Sequence, residues 1–212
     1  MLWTLVIPLK PLARAKSRLS DTAHGSIRPR LALAFAQDTV AAALECPAVA
    51  DVAVVTDDAV AGRELAALGA RIVPDTPGAG LNAALAHGTA AVRAVRPACP
   101  VAAMNADLPA LRPAELGRVL NAAAAFPRAF LADMAQVGTT LLAATPGHAL
   151  RPAFGGDSRA RHRTSGAIEL HPAAVPSVRQ DVDTGADLRA ALSLGVGPRT
   201  AAVAARLLIS ER

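Results

Sequence analysis

Aromatic residues are scarce in this sequence: Phe, Trp and Tyr make up 2% of its 212 residues, with one Trp and no Tyr. Its core must therefore be aliphatic and rich in alanine. Proteins that bind single-stranded nucleic acid usually stack bases on aromatic side chains, so the shortage argues against that class of protein. No nucleic-acid partner is therefore expected, although a basic nucleic-acid surface stays open as an alternative because the formal net charge is +5.

Cysteine and long apolar runs are also lacking. The only cysteines, Cys46 and Cys99, have neither a CxxC spacing nor a metal-ligand pattern, which predicts reduced thiols in a cytoplasmic protein. No apolar run reaches the roughly 18 residues needed to span a bilayer, so no membrane partner is expected. The short apolar stretch 2–9 contains Pro8 and is interpreted as a buried strand rather than a signal peptide.

Lysine is nearly absent, although the sequence is basic. Of 22 basic residues only Lys10 and Lys16 are lysines, and both lie with Arg14 and Arg18 in one short segment. The segment follows the first apolar strand, and α/β folds bind ligands at the carboxyl ends of strands. Cations at that position would neutralise phosphate groups. An ordinary solvated basic loop is the alternative.

Short apolar strands alternate with helices along the chain. The pattern predicts strands at 3–9, 51–56, 71–73, 101–105, 129–132 and 139–144, a strand-like segment at 178–182, and helices at 29–44, 59–68, 81–95, from 113, and 186–194. Fully apolar strands separated by helices are typical of parallel sheets covered on both faces. We therefore expect one α/β domain spanning 1–212, with a mostly parallel central sheet and helices on both faces.

Three aspartates follow predicted strands. Asp107 comes after the strand at 101–105, while Asp181 and Asp183 are two residues apart and would share one face of a strand. Like charges so close favour a bound cation, and Mg²⁺ prefers carboxylates combined with phosphate oxygens. These aspartates are thus predicted to bind a metal–nucleotide complex. In the alternative, Asp183 or Thr184 caps the last helix.

Two glycine-containing turns precede helices. The first leads through Gly80 and Leu81 to Asn82, whose amide would offer a donor and an acceptor to a base or ribose. Alternatively, Gly80 merely turns the chain and Asn82 caps the helix.

The second turn contains Gly155 and Gly156, followed by Ser158 and three arginines. Its free N–H groups and positive charge predict a binding site for the phosphate or carboxylate of a second substrate. Gly138-Thr139-Thr140 is expected to contribute to the same binding site. His162, in this region, is interpreted as a surface or supporting residue rather than a base.

Taken together, the run 8–19, Gly80-Leu81-Asn82, Asp107-Leu108-Pro109 and Asp181-Val182-Asp183-Thr184 resemble the nucleotidyltransferases related to molybdenum-cofactor guanylyltransferase. Within that superfamily, the run 8–19 is similar to the phosphoenolpyruvate or 2-phospho-L-lactate guanylyltransferases of coenzyme F-420 biosynthesis. The resemblance implies a Rossmann-like α/β fold. It also implies Mg²⁺-dependent transfer of GMP from GTP to a phosphorylated three-carbon acid, with release of pyrophosphate.

The resemblance also assigns site residues. The expected metal ligands are Asp107, Asp181 and Asp183, and the expected acceptor ligands are Thr140, Gly155 and Ser158, with Thr139 as the alternative to Thr140. Lys16 and Arg14 are expected to stabilise charge during catalysis. The nucleotide would be bound by Leu9, Lys10, Arg18, Asp75, Gly80, Leu81 and Asn82.

The identity of the acceptor is not fixed by these motifs. Phosphoenolpyruvate is the expected acceptor, and 2-phospho-L-lactate and 3-phosphoglycerate are the alternatives. A nucleotidyltransferase with another acceptor, and a nucleotide-binding module without catalysis, also stay open.

Overall fold

The computed structural model describes residues 1–16, 19 and 27–210, with side chains as far as residue 206. The strands of this part of the chain are β1 (Trp3–Pro8), β2 (Val49–Val55), β3 (Arg71–Val73), β4 (Val101–Met104), β5 (Arg128–Ala132), β6 (Thr139–Ala144) and β7 (Ile168–Glu169). Its α-helices are α1 (Ile27–Leu44), α2 (Ala59–Ala66), α3 (Leu81–Val95), α4 (Pro113–Ala123), α5 (Ser158–Thr164), α6 (Pro176–Arg179), α7 (Gly185–Leu194) and α8 (Pro198–Ser210). None of these helices is long and apolar enough to cross a membrane.

The strands form one seven-stranded sheet in the order β3-β2-β1-β4-β6-β5-β7. All neighbouring strands pair in parallel except at β6, which is antiparallel to β4 and β5. The mostly parallel sheet predicted from the sequence is confirmed. The chain runs from β1 outward to β3 and then returns to place β4 on the other side of β1. Open α/β sheets bind ligands at such a reversal, beyond the carboxyl ends of the strands.

Helices cover both faces of the sheet, as predicted. On one face, Val40 of α1 and Leu116 of α4 are buried in the same core as Leu5 of β1. On the other face, Leu85 of α3 packs in a second core with Val6, the next residue of β1. Successive residues of a strand point to opposite faces, so the continuous apolar run in β1 serves both cores.

The approach of α3 to the sheet depends on Gly88. A Cβ atom at this position would lie 2.5 Å from Cγ2 of Val55 and 2.7 Å from Cγ1 of Val6. A larger residue would therefore push α3 away from the sheet, because close-packed interiors have no room to spare. The close contact fixes the distance between α3 and the sheet. It thereby fixes where the first residues of α3 lie at the carboxyl edge of β1.

The strand predicted over 178–182 is wrong. This segment forms the short helix α6 and then an irregular loop. Val178 is buried in the core beneath α1 and α4, whereas Val182 is buried in a separate cluster with Leu19 and Leu188. Val178 and Val182 are four residues apart, a spacing that also fits one face of a strand, but Pro176 at the first helical position favours a helical turn instead.

Two elements were not expected from the sequence. The strand β7 has two residues, too few to show any periodicity. The helix α8 follows α7, which was predicted as the last helix. Asp38 of α1 holds the start of α8, because its carboxylate accepts hydrogen bonds from the N–H groups of Arg199 and Thr200 at 3.2 and 2.7 Å.

Candidate active site

A cavity of about 620 Å³ opens beyond the carboxyl ends of β1 and β4. Small-molecule sites usually measure roughly 300–1,000 Å³, so this volume suits a small ligand. Ten of the residues predicted to form a site line this cavity: Leu9, Lys10, Arg14, Lys16, Leu81, Asp107, Gly155, Ser158, Asp181 and Asp183.

Lys16 links two acidic loops of the cavity. Its ammonium contacts the carboxylate of Asp107 and lies 2.9 Å from Oδ1 of Asp183. Burial alone would lower the pKa of Lys16, but the two carboxylates outweigh burial and raise that pKa above its usual value. The lysine is therefore a fixed cation at neutral pH. Its backbone has φ of 55°, a left-handed conformation that is uncommon outside glycine and recurs at functional sites.

Asp181 lies beside this ion pair. Burial, followed by the charges of Asp107, Asp183 and Asp133, raises the pKa of Asp181 to about 8, against the opposing effect of Lys16. A carboxyl group with so strongly perturbed a pKa, lying in a cavity, is typical of a functional site.

The loop that carries Asp181 and Asp183 is fixed at both ends. The N–H of Val182 donates to the carbonyl of Asp107 at 3.1 Å. Thr184 is the N-cap of α7 and forms a capping box with Asp187. The capping alternative is thus confirmed for Thr184, while the carboxylate of Asp183 reaches Lys16. The two aspartates project from a loop and not from one face of a strand.

The acidic groups fit a divalent cation that is completed by substrate oxygens. In the described part of the chain, Oδ1 of Asp107 is buried without a hydrogen-bond partner. Within that same part, no group of three or more His, Cys, Asp or Glu side chains is arranged to hold a metal by itself. Mg²⁺ commonly takes one or two carboxylates and fills its other positions with water and phosphate oxygens. Asp107 and Asp183 match that smaller donor set.

The basic loop after β1 is tied to the start of α2. Oδ2 of Asp58 accepts the N–H of Leu12 at 2.8 Å, while Oδ1 accepts the N–H groups of Val60 and Ala61 and caps α2. One carboxylate thus holds both a helix and the loop that carries Lys16. Arg18, predicted to bind the nucleotide, lies outside the described residues.

Asn82 has a different partner from either one predicted. Its amide donates to the carbonyl of Phe154 at 3.1 Å and accepts the N–H of the same residue at 2.7 Å. The N-cap of α3 is Gly80, with φ of 95°, so the alternative in which Asn82 caps the helix is wrong. Asn82 instead positions the chain just before Gly155. Gly80, Asn82 and Asp75 do not line the cavity, and the N–H of Asp75 donates to Asp57.

On the acceptor side, the structure places Thr139 at the cavity instead of Thr140. The pairing of β5 with β6 slips after Leu131, which pairs with Leu141, so that Ala132 pairs with Thr139. This β-bulge turns the side chain of Thr139 toward the core that contains Phe130, against simple strand alternation. Thr140 is fully buried, and within the described residues its hydroxyl has no partner.

His162 lies behind Thr139 and is fully buried. Its Nδ1 is 3.0 Å from Oγ1 of Thr139, and its Nε2 accepts the N–H of Ala153 at 3.0 Å. Its ring packs edge-on against Phe154, with ring centroids 5.1 Å apart. Burial, reinforced by two nearby arginines, lowers the pKa of His162 to about 4. This histidine is a buried supporting residue, and it is neutral at physiological pH.

Asn105 and Asp133 are among the polar residues of the cavity that sequence reasoning missed. The amide of Asn105 donates to Asp181 at 3.3 Å. Asp133 accepts the N–H groups of Val137 and Gly138 at 2.9 and 2.8 Å and so holds the turn between β5 and β6. A signal was present, because each follows an apolar strand directly.

Comparisons with known proteins identify relatives of this chain. The family model described as guanylyl transferase CofC like matches residues 3–195. A phosphoenolpyruvate guanylyltransferase of Streptomyces coelicolor is 78% identical over 99% of both chains. Its counterpart from Thermomonospora curvata is 63% identical over 97% of this chain and 90% of the relative.

Solved structures of more distant proteins share the fold. A nucleotidyl transferase from Methanothermobacter has a TM-score of 0.65 and 21% identity, with 91% of this chain and 97% of that one covered. Rv0371c from Mycobacterium tuberculosis, in a complex with manganese, has a TM-score of 0.51 and 20% identity, with 91% of this chain and 99% of that one covered. At these identities the likeness shows the nucleotidyltransferase fold alone.

Proposed function

Since the chain belongs to the family of CofC-like guanylyl transferases, we propose that it transfers GMP from GTP to phosphoenolpyruvate and releases pyrophosphate. This reaction would be its step in coenzyme F-420 biosynthesis. The observation that carries the proposal is the contact of Lys16 with Asp107 and Asp183 inside the cavity at the topological reversal. The high identity to phosphoenolpyruvate guanylyltransferases supports that acceptor over 2-phospho-L-lactate and 3-phosphoglycerate.

The reaction is an in-line displacement at phosphorus. A phosphate oxygen of phosphoenolpyruvate attacks the α-phosphorus of GTP, a new P–O–P bond forms, and the bond between the α-phosphorus and the bridging oxygen breaks as pyrophosphate leaves. The attacking phosphate is already ionised near neutral pH, so no general base is required. The protein then accelerates the reaction by positioning its two anionic substrates and by stabilising charge.

The cations of the basic loop serve the nucleotide. Lys16 and Arg14 would stabilise the negative charge that builds up on the leaving pyrophosphate, and Lys10 with Leu9 would contact the nucleotide from the same loop. Leu81, at the start of α3, would form part of the same nucleotide site. All five residues line the cavity, which supports these roles.

Asp107 and Asp183 would hold the divalent cation, and Asp181 lies next to them. The buried Oδ1 of Asp107, which has no partner among the described residues, supports this assignment. When bound, Mg²⁺ would offset the charge of the triphosphate as a Lewis acid. Lys16 occupies the space between the two carboxylates in the free protein, so it holds them together before substrates arrive.

The acceptor would bind at the wall formed by Thr139, Gly155 and Ser158. Gly155 has φ of 93°, which leaves its backbone open to the cavity where a side chain would be strained. We choose Thr139 rather than Thr140 for this set, because Thr139 lines the cavity.

The test is a pyrophosphate-release assay with GTP and Mg²⁺, in which phosphoenolpyruvate, 2-phospho-L-lactate and 3-phosphoglycerate are offered separately and the product is identified by mass. We expect release with phosphoenolpyruvate, and a loss of about a hundredfold or more in kcat for Asp107→Asn. Asp51→Asn is the matched control, because Asp51 pairs with Arg71 and Arg96 away from the cavity. Absence of release with every acceptor would refute the proposed activity, and full activity of Asp107→Asn would refute the metal assignment.

A further inference from the structure

His162 forms a hydrogen-bond chain from the interior to the acceptor side of the cavity. The chain runs from the N–H of Ala153 to Nε2 of His162, and from Nδ1 of His162 to Oγ1 of Thr139, with both distances at 3.0 Å. His162 is fully buried, whereas Thr139 lines the cavity. The proposed reaction gives this histidine no chemical step, although the fold buries a titratable ring there.

The direction of each hydrogen bond follows from the backbone. A backbone N–H can only donate, so Nε2 of His162 must be the ring nitrogen without a proton. A neutral imidazole carries its single proton on the other nitrogen, which is Nδ1. Nδ1–H therefore donates to Oγ1 of Thr139, and the hydroxyl hydrogen of Thr139 cannot point back toward His162.

We propose that His162 is a positioning residue that fixes Thr139 as a hydrogen-bond donor toward the acceptor substrate. With one lone pair of Oγ1 occupied by Nδ1–H, the hydroxyl hydrogen is left to point into the cavity, toward an anionic oxygen of the acceptor. A hydroxyl that donates at this position favours a substrate group that only accepts hydrogen bonds, namely a phosphate or carboxylate oxygen. The inference deepens the proposed function and rests on it for the identity of the acceptor.

The helix α5 supports the arrangement. Ser158 and His162 are four residues apart and so lie on the same face of the helix. Ser158 lines the cavity and is 2% exposed. The ring of His162 is confined by Phe130 and Phe154, at centroid distances of 5.7 and 5.1 Å. One helix face therefore supplies a direct ligand and, behind it, the residue that orients a second ligand.

Two substitutions test the roles of the two ring nitrogens separately. The amide of His162→Asn can place an N–H near the position of Nδ1, whereas the amide of His162→Gln reaches the position of Nε2 and leaves Thr139 without its donor. We expect His162→Gln to raise KM for phosphoenolpyruvate about tenfold, with KM for GTP unchanged, because a hydrogen bond to a charged group is lost. His162→Asn should stay much closer to the wild type. Equal effects of both variants, or equal effects on both substrates, would overturn the proposal in favour of a structural role.

A double-mutant comparison tests whether His162 acts through Thr139. In a Thr139→Val background, His162→Gln should no longer change KM for phosphoenolpyruvate, since the hydroxyl to be oriented is gone. A full additional effect of His162→Gln in that background would contradict the proposal.

A spectroscopic measurement tests the inference without turnover. In ¹⁵N-labelled free protein, the two-bond couplings of the His162 ring should show the proton on Nδ1, in contrast to the Nε2–H form that free imidazole side chains favour. A proton on Nε2 would overturn the proposal even if the enzyme is active. If the assay shows no guanylyl transfer but the ring has its proton on Nδ1, the proposed function fails and the orientation of Thr139 stands.

Discussion

Lys16 lies between two carboxylates of the cavity. Its ammonium is shared by Asp107 and Asp183, which come from loops far apart in the chain. In the free protein this contact offsets the repulsion between the two carboxylates. During the proposed reaction the same ammonium would serve the triphosphate, so the residue would have two electrostatic roles.

Replacement of Lys16 should therefore separate metal binding from catalysis. For Lys16→Met we expect GTP turnover to fall by about a hundredfold or more, since a charge-stabilising group is lost. Affinity for Mn²⁺ in the absence of nucleotide should rise, because Asp107 and Asp183 lose a competing cation. Turnover is measured by pyrophosphate release and Mn²⁺ binding by electron paramagnetic resonance. Lys10→Met, on the same loop, is the control for Mn²⁺ binding alone, because Asp107 and Asp183 keep their contacts with Lys16 in that variant. Mn²⁺ affinity that is unchanged or weaker in Lys16→Met would contradict the prediction.

Individual site residues could be predicted where chemistry and position in the sequence coincide. Lys16 and Asp107 are charged residues in loops that follow apolar strands, and both lie in the cavity. Thr139 could not be separated from Thr140, because the bulge depends on the pairing of β6 with β5. The role of Asn82 was also out of reach, since its partner Phe154 is 72 residues away.

Among the secondary-structure elements, α2 and the basic loop share a single anchor. Asp58 caps α2 with one carboxylate oxygen and holds the N–H of Leu12 with the other. Burial raises the pKa of Asp58, but the three N–H donors more than offset burial and lower that pKa overall. The carboxylate is thus held in its charged form, and the position of the loop is coupled to the integrity of the helix.

Two substitutions of Asp58 should distinguish these tasks. Asp58→Ala removes both, and we expect the free energy of unfolding to fall by about 1 kcal/mol from loss of the cap alone. Asp58→Ser keeps a capping oxygen but has no second oxygen for Leu12, so its stability should fall less than that of the alanine variant. Both variants should raise KM for GTP severalfold because the loop is released. Urea unfolding and steady-state kinetics check these values, and wild-type KM in both variants would show that the anchor is irrelevant to the loop.

The elements themselves could be predicted where the chain is both apolar and long. The helices α3 and α7 and the strands β1 to β6 follow the predicted pattern closely. The segment 178–182 failed because alternating burial is not unique to strands: Val178 and Val182 are buried in different clusters, on either side of the end of a short helix. Which core accepts each valine is decided by the tertiary fold and not by local alternation.

In the whole molecule, the order of the strands assembles the site. The loop after β1 carries Lys16, and the loop after β4 carries Asp107. A separate apolar cluster joins Leu19 of the basic region to Val182 and Leu188 near the other end of the chain. Sequence alone indicates that parallel strands share a carboxyl edge, but the strand order needs the structure. The site therefore depends on packing between the two ends of the chain, and its geometry is a property of the complete sheet.

The buried His162 should also make the stability of the whole fold depend on pH. Burial, together with two nearby arginines, lowers the pKa of His162 from 6.5 to about 4 in the folded protein. Below about pH 6.5 the unfolded chain takes up a proton at this position while the folded protein does not, which favours unfolding. As far as this residue is concerned, the free energy of unfolding thus has its full value above pH 6.5, and it falls progressively as the pH decreases toward 4.

We therefore expect the free energy of unfolding to fall more steeply in the wild type than in His162→Asn between about pH 7 and about pH 4.5. The variant is less stable near neutral pH, where it lacks the acceptor for Ala153, but its acid sensitivity is smaller because the buried titrating ring is gone. Urea unfolding at several pH values gives both slopes. His171→Asn, at an exposed histidine, should keep the wild-type slope. If His162→Asn also keeps that slope, the folded and unfolded chains take up the proton at the same pH, and the pKa of His162 is not lowered by burial.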